Sequence, residues 1–291
     1  MKGTARTFGA ITVTNALSTG IGCAAGIALS VYAEVTLSST GSPEPPTFEI
    51  PPDCRSAIVE ESLRAGLARF FPEPGTRVRL ALSSEIPVAR GLKSSSAVST
   101  AAVLALARAA DREPSALEVG RVSAEVGRRV GVSATGALDD ALAGLESGFV
   151  VTDNLRNELL RRTDVDPSWG VVLYVPFRTH PPAPKLVPMF TRERKSGERS
   201  ARAAMDGDWA RAMEINTALV ERAMGYSYQA LRDRLQGLGA IASGVCGLGP
   251  ALAAIAPTER LPALLDALPA DGSQRLLTRF ARPDSPGGRA S

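Results

Sequence analysis

The residues best suited to bind phosphate lie in one turn, between a predicted strand and a predicted helix. The turn comprises Pro87, Val88, Ala89, Arg90, Gly91, Leu92, Lys93, Ser94, Ser95, Ser96 and Ala97. The start of a helix attracts anions, because its first N–H groups are unpaired and its dipole is positive there. Gly91 allows the backbone to approach a ligand, Lys93 adds a positive charge, and the serine hydroxyls can ligate Mg²⁺. The turn therefore predicts a phosphate-binding loop, with an ordinary serine-capped helix as the alternative.

Two neighbouring carboxylates, Asp139 and Asp140, form the second group able to take part in chemistry. They lie among small residues in the stretch GVSATGALDDALAGLESGFVVTDN, residues 131 to 154. Two buried acids need a cation, a hydrogen-bond donor or water, because an unpaired buried charge is strongly unfavourable. A second interpretation stays open, in which Asp139 caps a helix and Asp140 is its first residue.

The hydrophobic pattern predicts the elements that must position these groups. The predicted strands are Arg6–Val13, a segment around Val31–Leu37, Thr76–Glu85, Gly170–Phe177 and Arg275–Phe280. The predicted helices are Arg55–Phe71, a helix from the three serines to about Asp111, a helix from Ser115 to Arg129, and Glu198–Leu238 with a break at Gly225–Ser227. The glycine-rich stretch STGIGCAAG is predicted to connect the first two strands.

Two common nucleotide-binding motifs do not fit this chain. The Walker loop requires a second glycine ahead of GK[ST], which the turn around Lys93 lacks. The glycines at 20, 22 and 26 resemble a Rossmann fingerprint, but the last gap is one residue too long and a predicted strand follows. Both motifs are therefore excluded.

The turn resembles instead the serine-rich phosphate loop of the GHMP small-molecule kinases. GLKSSSA, at Gly91–Ala97, is similar to the variant of the archaeal-type shikimate kinase branch, and GALDDA, at Gly136–Ala141, is similar to a second family motif. SGVCGLGP, at Ser243–Pro250, resembles the third, although alone it could also be a tight hairpin. The resemblance is specific because the three motifs occur together and in order.

The resemblance implies an α+β protein with the GHMP kinase fold, in which the nucleotide and acceptor sites lie between two lobes. The expected lobes are residues 1–155, which carry the phosphate-binding loop, and residues 156–291. The implied reaction transfers the γ-phosphoryl of ATP to the 3-hydroxyl of shikimate, in the pathway to chorismate and the aromatic amino acids. ATP and Mg²⁺ are the implied cofactors.

The resemblance also implies roles for individual residues. Residues 87–97 would bind the triphosphate, Lys93 would offset its charge, and Asp139 would orient, or deprotonate, the attacking hydroxyl. The remaining implied residues are Ser95 and Glu125 as magnesium ligands, and Asn15 and Gly247 as substrate contacts. A solvent-facing side chain is the alternative for Glu125. Ile21 departs from the family, which often has a basic residue there.

Composition limits the classes of function. The chain has 291 residues, a net charge of +3 and 5% aromatic residues. Its basic residues are dispersed except at Arg192–Arg202, a run that also contains two glutamates and is predicted to be solvated, so an anionic small molecule is a better expected partner than nucleic acid. It contains one histidine, His180, and three widely spaced cysteines, which argues against a multi-histidine metal site and favours a reducing compartment. We expect a cytoplasmic protein without a membrane span, and its oligomeric state stays open.

Three alternatives to shikimate phosphorylation remain at this stage. A kinase of another small alcohol, such as homoserine or mevalonate, would use the same motifs. A catalytically inactive nucleotide-binding regulator would bind ATP without turnover, and the presence of Lys93 and Asp139 argues against it. A nucleic-acid-binding module would show affinity that falls steeply with salt.

Overall fold

The computed structural model describes residues 1–39, 41, 44–178 and 183–282, and it contains two β-sheets with helices packed against them. The strands are β1 (Lys2–Thr14), β2 (Ile21–Ser39), β3 (Thr47–Glu49), β4 (Thr76–Ser84), β5 (Phe149–Asp153), β6 (Glu158–Thr163), β7 (Trp169–Val175), β8 (Ala242–Val245), β9 (Leu252–Pro257) and β10 (Gln274–Arg279). The helices are α1 (Ala57–Phe70), α2 (Ser94–Ala109), α3 (Ala116–Arg129), α4 (Leu138–Ala143), α5 (Ala183–Arg192), α6 (Arg194–Asp206), α7 (Trp209–Met224), α8 (Gln229–Gly237) and α9 (Leu261–Asp266). The predicted α+β class is confirmed.

Strand β2 is the centre of the first sheet, whose order is β3-β4-β2-β5-β6, with β1 also paired to β2. Its 19 residues accommodate two antiparallel partners, because Ile21–Ala25 pairs with β5 while Val31–Ser39 pairs with β4. β1 runs antiparallel to it from Lys2 to Thr14. The strand predicted at Arg6–Val13 is therefore confirmed, and it extends further at both ends.

The prediction that the glycine-rich stretch is only a connection is wrong, because Ile21 to Gly26 already belong to β2. Helix α4 explains these glycines, since it packs directly on the backbone of the strand. A Cβ at Gly22 would lie 2.5 Å from the carboxyl carbon of Asp139, and a Cβ at Gly26 would collide with the carbonyl oxygen of Ala143. Glycine in a strand often marks such a close approach.

Helix α2 is the main support of the phosphate-binding turn. It packs against β1, β2, α1 and α3, and most of its side chains are small and buried. Small side chains let it lie close to the sheet: a Cβ at Gly3 of β1 would collide with the backbone of Ala105 and Ala109. The first turn of α2 is therefore anchored by the body of the helix.

The second sheet has the order β10-β7-β9-β8, and all of its pairs are antiparallel. Strand β6 belongs to the first sheet, where it pairs with β5. The expected lobe boundary after residue 155 stays a prediction. It falls between the two strands of this hairpin, and we propose that the transition lies instead between Thr163 and Trp169. The two sheets share a hydrophobic core, to which Ile11 and Val31 contribute from one side and Leu173 and Ile255 from the other.

Three further sequence predictions concern segments outside the phosphate-binding turn and the two carboxylates. No helix in the described part of the chain is long and apolar enough to cross a membrane. His180 lies outside the described residues. The predicted helical break at Gly225–Ser227 is confirmed between α7 and α8, and a further break at Gly207 and Asp208 separates α6 from α7. Gly207 adopts a φ of 86°, which ends α6.

Candidate active site

A cavity of about 480 Å³ lies where the three sequence motifs meet. Its wall includes the three serines that begin α2, the carboxylates of α4 and the glycine turn between β8 and β9. Asn15, which follows β1, and Gly247 also line it; their role as substrate contacts stays a prediction. Segments that are distant in sequence are thus brought to one site of a size suited to small molecules.

The phosphate-binding turn has a different local geometry from the one expected. Lys93, with a φ of 68°, is the residue that precedes the helix, and Ser94, Ser95 and Ser96 form its first turn. The expectation that the serine hydroxyls cap the helix is therefore wrong, and the N-cap makes no side-chain hydrogen bond. Ser95 is exposed, and all three serines line the cavity. The backbone N–H groups at this helix start therefore stay available for an anion.

Gly91 serves mainly the contact between the turn and the second lobe. Its φ is 88°, and a Cβ there would collide with the carbonyl oxygen of Cys246. The neighbouring carbonyl of Arg90 accepts a hydrogen bond of 3.1 Å from the backbone N–H of Ala251, and the carbonyl of Leu92 accepts one of 3.3 Å from β1. Backbone contacts therefore hold the turn between the two sheets. The space that the sequence predicted for a ligand beside Gly91 is occupied by the backbone of Cys246.

Lys93 and Asp140 form a buried ion pair beside the cavity. Nζ lies 2.8 Å from Oδ1 of Asp140, and about nine-tenths of each side chain is buried, with exposed fractions of 10% and 12%. Burial lowers the pKa of Lys93, but the carboxylates of Asp140 and Asp139 outweigh it, so the pKa is raised and the ammonium keeps its proton. Lys93 is the only lysine or arginine in the described cavity wall.

Asp139 lies in the first turn of α4 and faces the cavity with 4% of its surface exposed. The N-cap of this helix is Ala137, with a φ of 55°, so the interpretation of Asp139 as the cap is wrong. Burial raises the pKa of Asp139 to about 7; the carboxylate of Asp140 adds to the rise, while Lys93 and Asn154 oppose it. A carboxyl group with this pKa can exchange a proton near neutrality.

Sequence reasoning missed two residues that hold the Asp139 carboxylate. Nδ2 of Asn154 donates a hydrogen bond of 2.8 Å to its Oδ1, and Gly22 of β2 lies against the same group. The polar residues Thr152, Asp153 and Asn154 at the end of an apolar strand were a usable signal, since such an end often faces a site. Nothing local to Gly22 indicated its role, which depends on the position of α4.

Asn15 and Gly247, both predicted as substrate contacts, are bonded to each other. Nδ2 of Asn15 donates to the carbonyl of Gly247 over 3.1 Å, and the N–H of Gly247 donates to Oγ1 of Thr12 over 2.7 Å. The Oδ1 atom of Asn15 accepts a hydrogen bond from the backbone N–H of Leu17, and the backbone N–H of Asn15 donates one to Oδ1 of Asn216. The structure therefore places them at the cavity, where they join the end of β1 to the glycine turn of the second lobe.

The two predicted magnesium ligands do not lie together. Ser95 lines the cavity, whereas Glu125 is outside its wall, with a side chain that is 63% exposed and pairs with Arg129. The reason is the helical repeat of α3, on which Ser123 faces the cavity while Glu125, two residues later, faces solvent. Within the described residues, no cluster of three or more His, Cys, Asp or Glu side chains is suited to a metal.

Comparison with known proteins agrees with this geometry. Residues 57–148 match the family model described as the GHMP kinases N terminal domain. The shikimate kinase of Methanosarcina acetivorans is 34% identical over 267 residues, which cover 91% of this chain and 89% of that protein. The shikimate kinase of Pyrococcus abyssi is 34% identical over 256 residues, covering 88% and 92%.

Solved structures of low sequence identity share the fold. The Methanococcus jannaschii mevalonate kinase has a TM-score of 0.71 at 14% identity and covers 97% of this chain and 99% of that one. The homoserine kinase from Cytophaga hutchinsonii has a TM-score of 0.71 at 16% identity, with 96% of each chain covered.

Fold and site together define an ATP-dependent kinase of small molecules, built on two lobes with the cavity between them. Sequence identity of 34% to shikimate kinases over most of the chain then shows to which branch of these kinases the protein belongs. The chain belongs to the archaeal-type shikimate kinase family of the GHMP kinase superfamily.

Proposed function

We propose that the protein is a shikimate kinase, which transfers the γ-phosphoryl of ATP to the 3-hydroxyl of shikimate on the way to chorismate and the aromatic amino acids. The observation that supports this most is the buried carboxylate of Asp139 in the same cavity as the phosphate-binding turn. Curated shikimate kinases with 33% and 36% identity to the chain support shikimate over other alcohols.

Residues 87–97 bind the triphosphate in this proposal. The free N–H groups at the start of α2 donate to phosphate oxygens, and the serine hydroxyls add further donors. The ammonium of Lys93 offsets negative charge, although Asp140 already neutralises part of it. Ile58, Val88 and Val132 supply apolar surface of the cavity wall that suits a nucleobase.

Asp139 acts on the acceptor. The hydroxyl oxygen of the acceptor attacks the γ-phosphorus, the bond from that phosphorus to the oxygen of the leaving ADP breaks, and the hydroxyl proton passes to the Asp139 carboxylate. A pKa of about 7 lets this carboxylate accept a hydrogen bond when ionised and take the proton as the transfer proceeds. Such transfers depend mainly on positioning and charge, which a fixed cavity wall provides.

Mg²⁺ fits this site only if nucleotide phosphates supply most of its ligands. The hydroxyl of Ser95 is exposed at the cavity, and Mg²⁺ commonly takes one or two protein oxygens together with phosphates and water. Ser95 is the residue that we propose to hold it, and Glu125 is not retained in that role. When bound, the ion would neutralise phosphate charge.

The deciding experiment is ADP release with ATP, magnesium and shikimate, compared with homoserine and mevalonate. We expect shikimate-dependent release from the wild type and a loss of about a hundredfold or more in Asp139→Asn, with nucleotide binding retained. Phosphorus NMR of the product identifies the phosphorylated hydroxyl. Turnover of homoserine or mevalonate in place of shikimate would assign another alcohol to the same fold.

The remaining alternatives have distinct outcomes in the same series. ATP binding without turnover of any of the three alcohols would favour the inactive regulator. Nucleic-acid affinity that falls steeply with salt would favour the third class. A cytoplasmic location and a small-molecule partner follow from the proposal, since shikimate and ATP are both soluble metabolites.

A further inference from the structure

Asn154 is a fully buried amide directly behind the Asp139 carboxylate. Its backbone N–H donates to the carbonyl of Gly20 over 2.9 Å, which fixes the end of β5 to the turn before β2. Its Oδ1 accepts from Oγ1 of Thr152 over 2.7 Å and from the backbone N–H of Asp139 over 3.3 Å. Its Nδ2 donates to Oδ1 of Asp139 over 2.8 Å and to Oγ1 of Thr135 over 3.3 Å. Both ends of the amide are thus fully used.

These partners permit one orientation of the amide. The backbone N–H of Asp139 can only donate, so Oδ1 of Asn154 must face it, and Nδ2 must face the carboxylate. Oδ1 of Asp139 is therefore engaged. Oδ2 accepts no hydrogen bond from any other residue that the structure describes, and Asp139 belongs to the cavity wall.

We propose that Asn154 is a positioning residue for phosphoryl transfer, whose amide holds Oδ1 of Asp139 and so leaves Oδ2 to meet the acceptor hydroxyl. The inference rests on the proposed function, because it requires Asp139 to act on an acceptor. Gly22 also packs against the carboxylate, since a Cβ there would lie 2.5 Å from Oδ2. Asn154 is not part of the described cavity wall, so it acts through Asp139 and not by contact with substrate.

Three ionisable groups face Asp139 from the elements around it. They are Asp140 of α4, Lys93 at the start of α2 and Cys23 of β2. Lys93 stays protonated beside the two carboxylates, and burial raises the pKa of the Cys23 thiol, which keeps it neutral. Asn154 differs from them as a neutral donor, and its hydrogen bond favours the ionised form of Asp139. Loss of that bond therefore favours the protonated form.

The test uses Asn154→Ala and Thr152→Val in the full chain, with Ser62→Ala as a matched control. Ser62 is also fully buried, and its hydroxyl bonds to Ile58 and Ser99 between α1 and α2. The readouts are kcat and the KM values for shikimate and for ATP, from about pH 5.5 to 9.5. A second readout is the ¹³C carboxyl titration of Asp139 in aspartate-labelled protein, assigned with Asp139→Asn.

We expect Asn154→Ala to lower kcat near neutrality by about tenfold to a hundredfold, with the KM for ATP changed by less than about twofold. Both the acid limb of kcat and the titration midpoint of Asp139 should move to higher pH. Thr152→Val should cause a smaller shift in the same direction, because Asn154 keeps its bond to the carboxylate. Ser62→Ala should lower stability without moving either midpoint.

A folded Asn154→Ala protein in which Asp139 titrates as in the wild type would overturn the proposal. A loss of kcat that is equal at every pH and matches the unfolded fraction would also overturn it. If Asn154→Ala does not fold, Thr152→Val decides: the proposal fails if neither the acid limb of its kcat nor the titration midpoint of Asp139 moves to higher pH. If the wild type does not phosphorylate shikimate, the proposed function fails, while the carboxyl titration still decides whether Asn154 holds Asp139.

Discussion

The ammonium of Lys93 lies 2.8 Å from Oδ1 of Asp140, and this ion pair joins the start of α2 to α4 beside the cavity. Because of this ion pair, the adjacent acids Asp139 and Asp140 have different partners. Asp140 is paired with the lysine, whereas the Asp139 carboxylate faces the cavity and accepts a hydrogen bond from the amide of Asn154, directly after β5. The pair therefore sets the charge around Asp139 as well as the position of the phosphate-binding turn.

Removal of Lys93 should damage both stability and turnover. Lys93→Met leaves the Asp140 carboxylate buried without its cation, which costs about 3–5 kcal/mol of unfolding free energy. Adding Asp140→Leu should restore most of that loss in urea unfolding, because the buried charge is then gone. Both proteins should release ADP at least about a hundredfold more slowly than the wild type. A double variant as unstable as the single one would contradict the role assigned to the pair.

Wild-type turnover should rise with pH through the neutral range. In the proposed reaction Asp139 has to be ionised to accept the hydroxyl proton, and its pKa is raised to about 7. A kcat profile from acid to alkaline pH is the measurement, and Asp139→Asn, with turnover reduced at every pH, is the comparison. An acid limb that lies near pH 4 would show that burial does not govern this carboxyl group.

Asp139→Asn should be more stable than the wild type at pH 8, and this advantage should vanish towards pH 4. The pKa of Asp139 rises from 3.8 to about 7 on folding, so between these values the folded chain binds more protons than the unfolded chain. Stability contributed by this group is therefore present below the lower pKa and is lost as pH rises through the upper one. Urea midpoints at both pH values measure it, and an equal difference at the two would refute the assignment.

Gly91→Ala should disrupt the contact between the phosphate-binding turn and the backbone of Cys246 in the second lobe. It adds strain at a φ of 88° and a collision with the carbonyl of Cys246, so ATP affinity and thermal stability should both fall. Gly225→Ala is the control, because its φ of 68° imposes similar strain while nothing lies within 4 Å of the added Cβ. We expect it to cost about 1 kcal/mol and leave ATP binding intact. An equal loss of ATP affinity in Gly91→Ala and Gly225→Ala would argue against a role for the contact between Gly91 and Cys246 in ATP binding.

Substitution of Ser95 should change the magnesium dependence of turnover, and substitution of Glu125 should not. Ser95→Ala should raise the magnesium concentration required for half-maximal turnover, because an exposed hydroxyl at the cavity is lost. Glu125→Gln should leave that concentration unchanged and alter stability by less than about 1 kcal/mol, since only a surface ion pair with Arg129 is lost. The reverse result would return Glu125 to the site.

Several elements followed directly from local patterns. The strand before the phosphate-binding turn and the helices at α1 and α3 lie where alternation and helical spacing predict them, with ends that differ by a few residues. The prediction of a serine cap was wrong because Lys93 occupies the N-cap position, in a left-handed conformation, and the three serines already belong to the helix. The prediction for the glycine-rich stretch was wrong for another reason: Gly22 and Gly26 leave room for α4, a helix more than a hundred residues away in the chain.

The sequence by itself determined the type of chemistry, because an eleven-residue turn already contains the glycine, cation and hydroxyls that a phosphate needs, and GALDDA supplies the acid. Only the tertiary structure decided how that acid is tuned. Lys93, Gly22 and Asn154 act on Asp139 from the residue before α2, from β2 and from the end of β5, and no spacing rule connects those segments. Burial, which raises the pKa of Asp139, likewise exists only once the chain has folded around it.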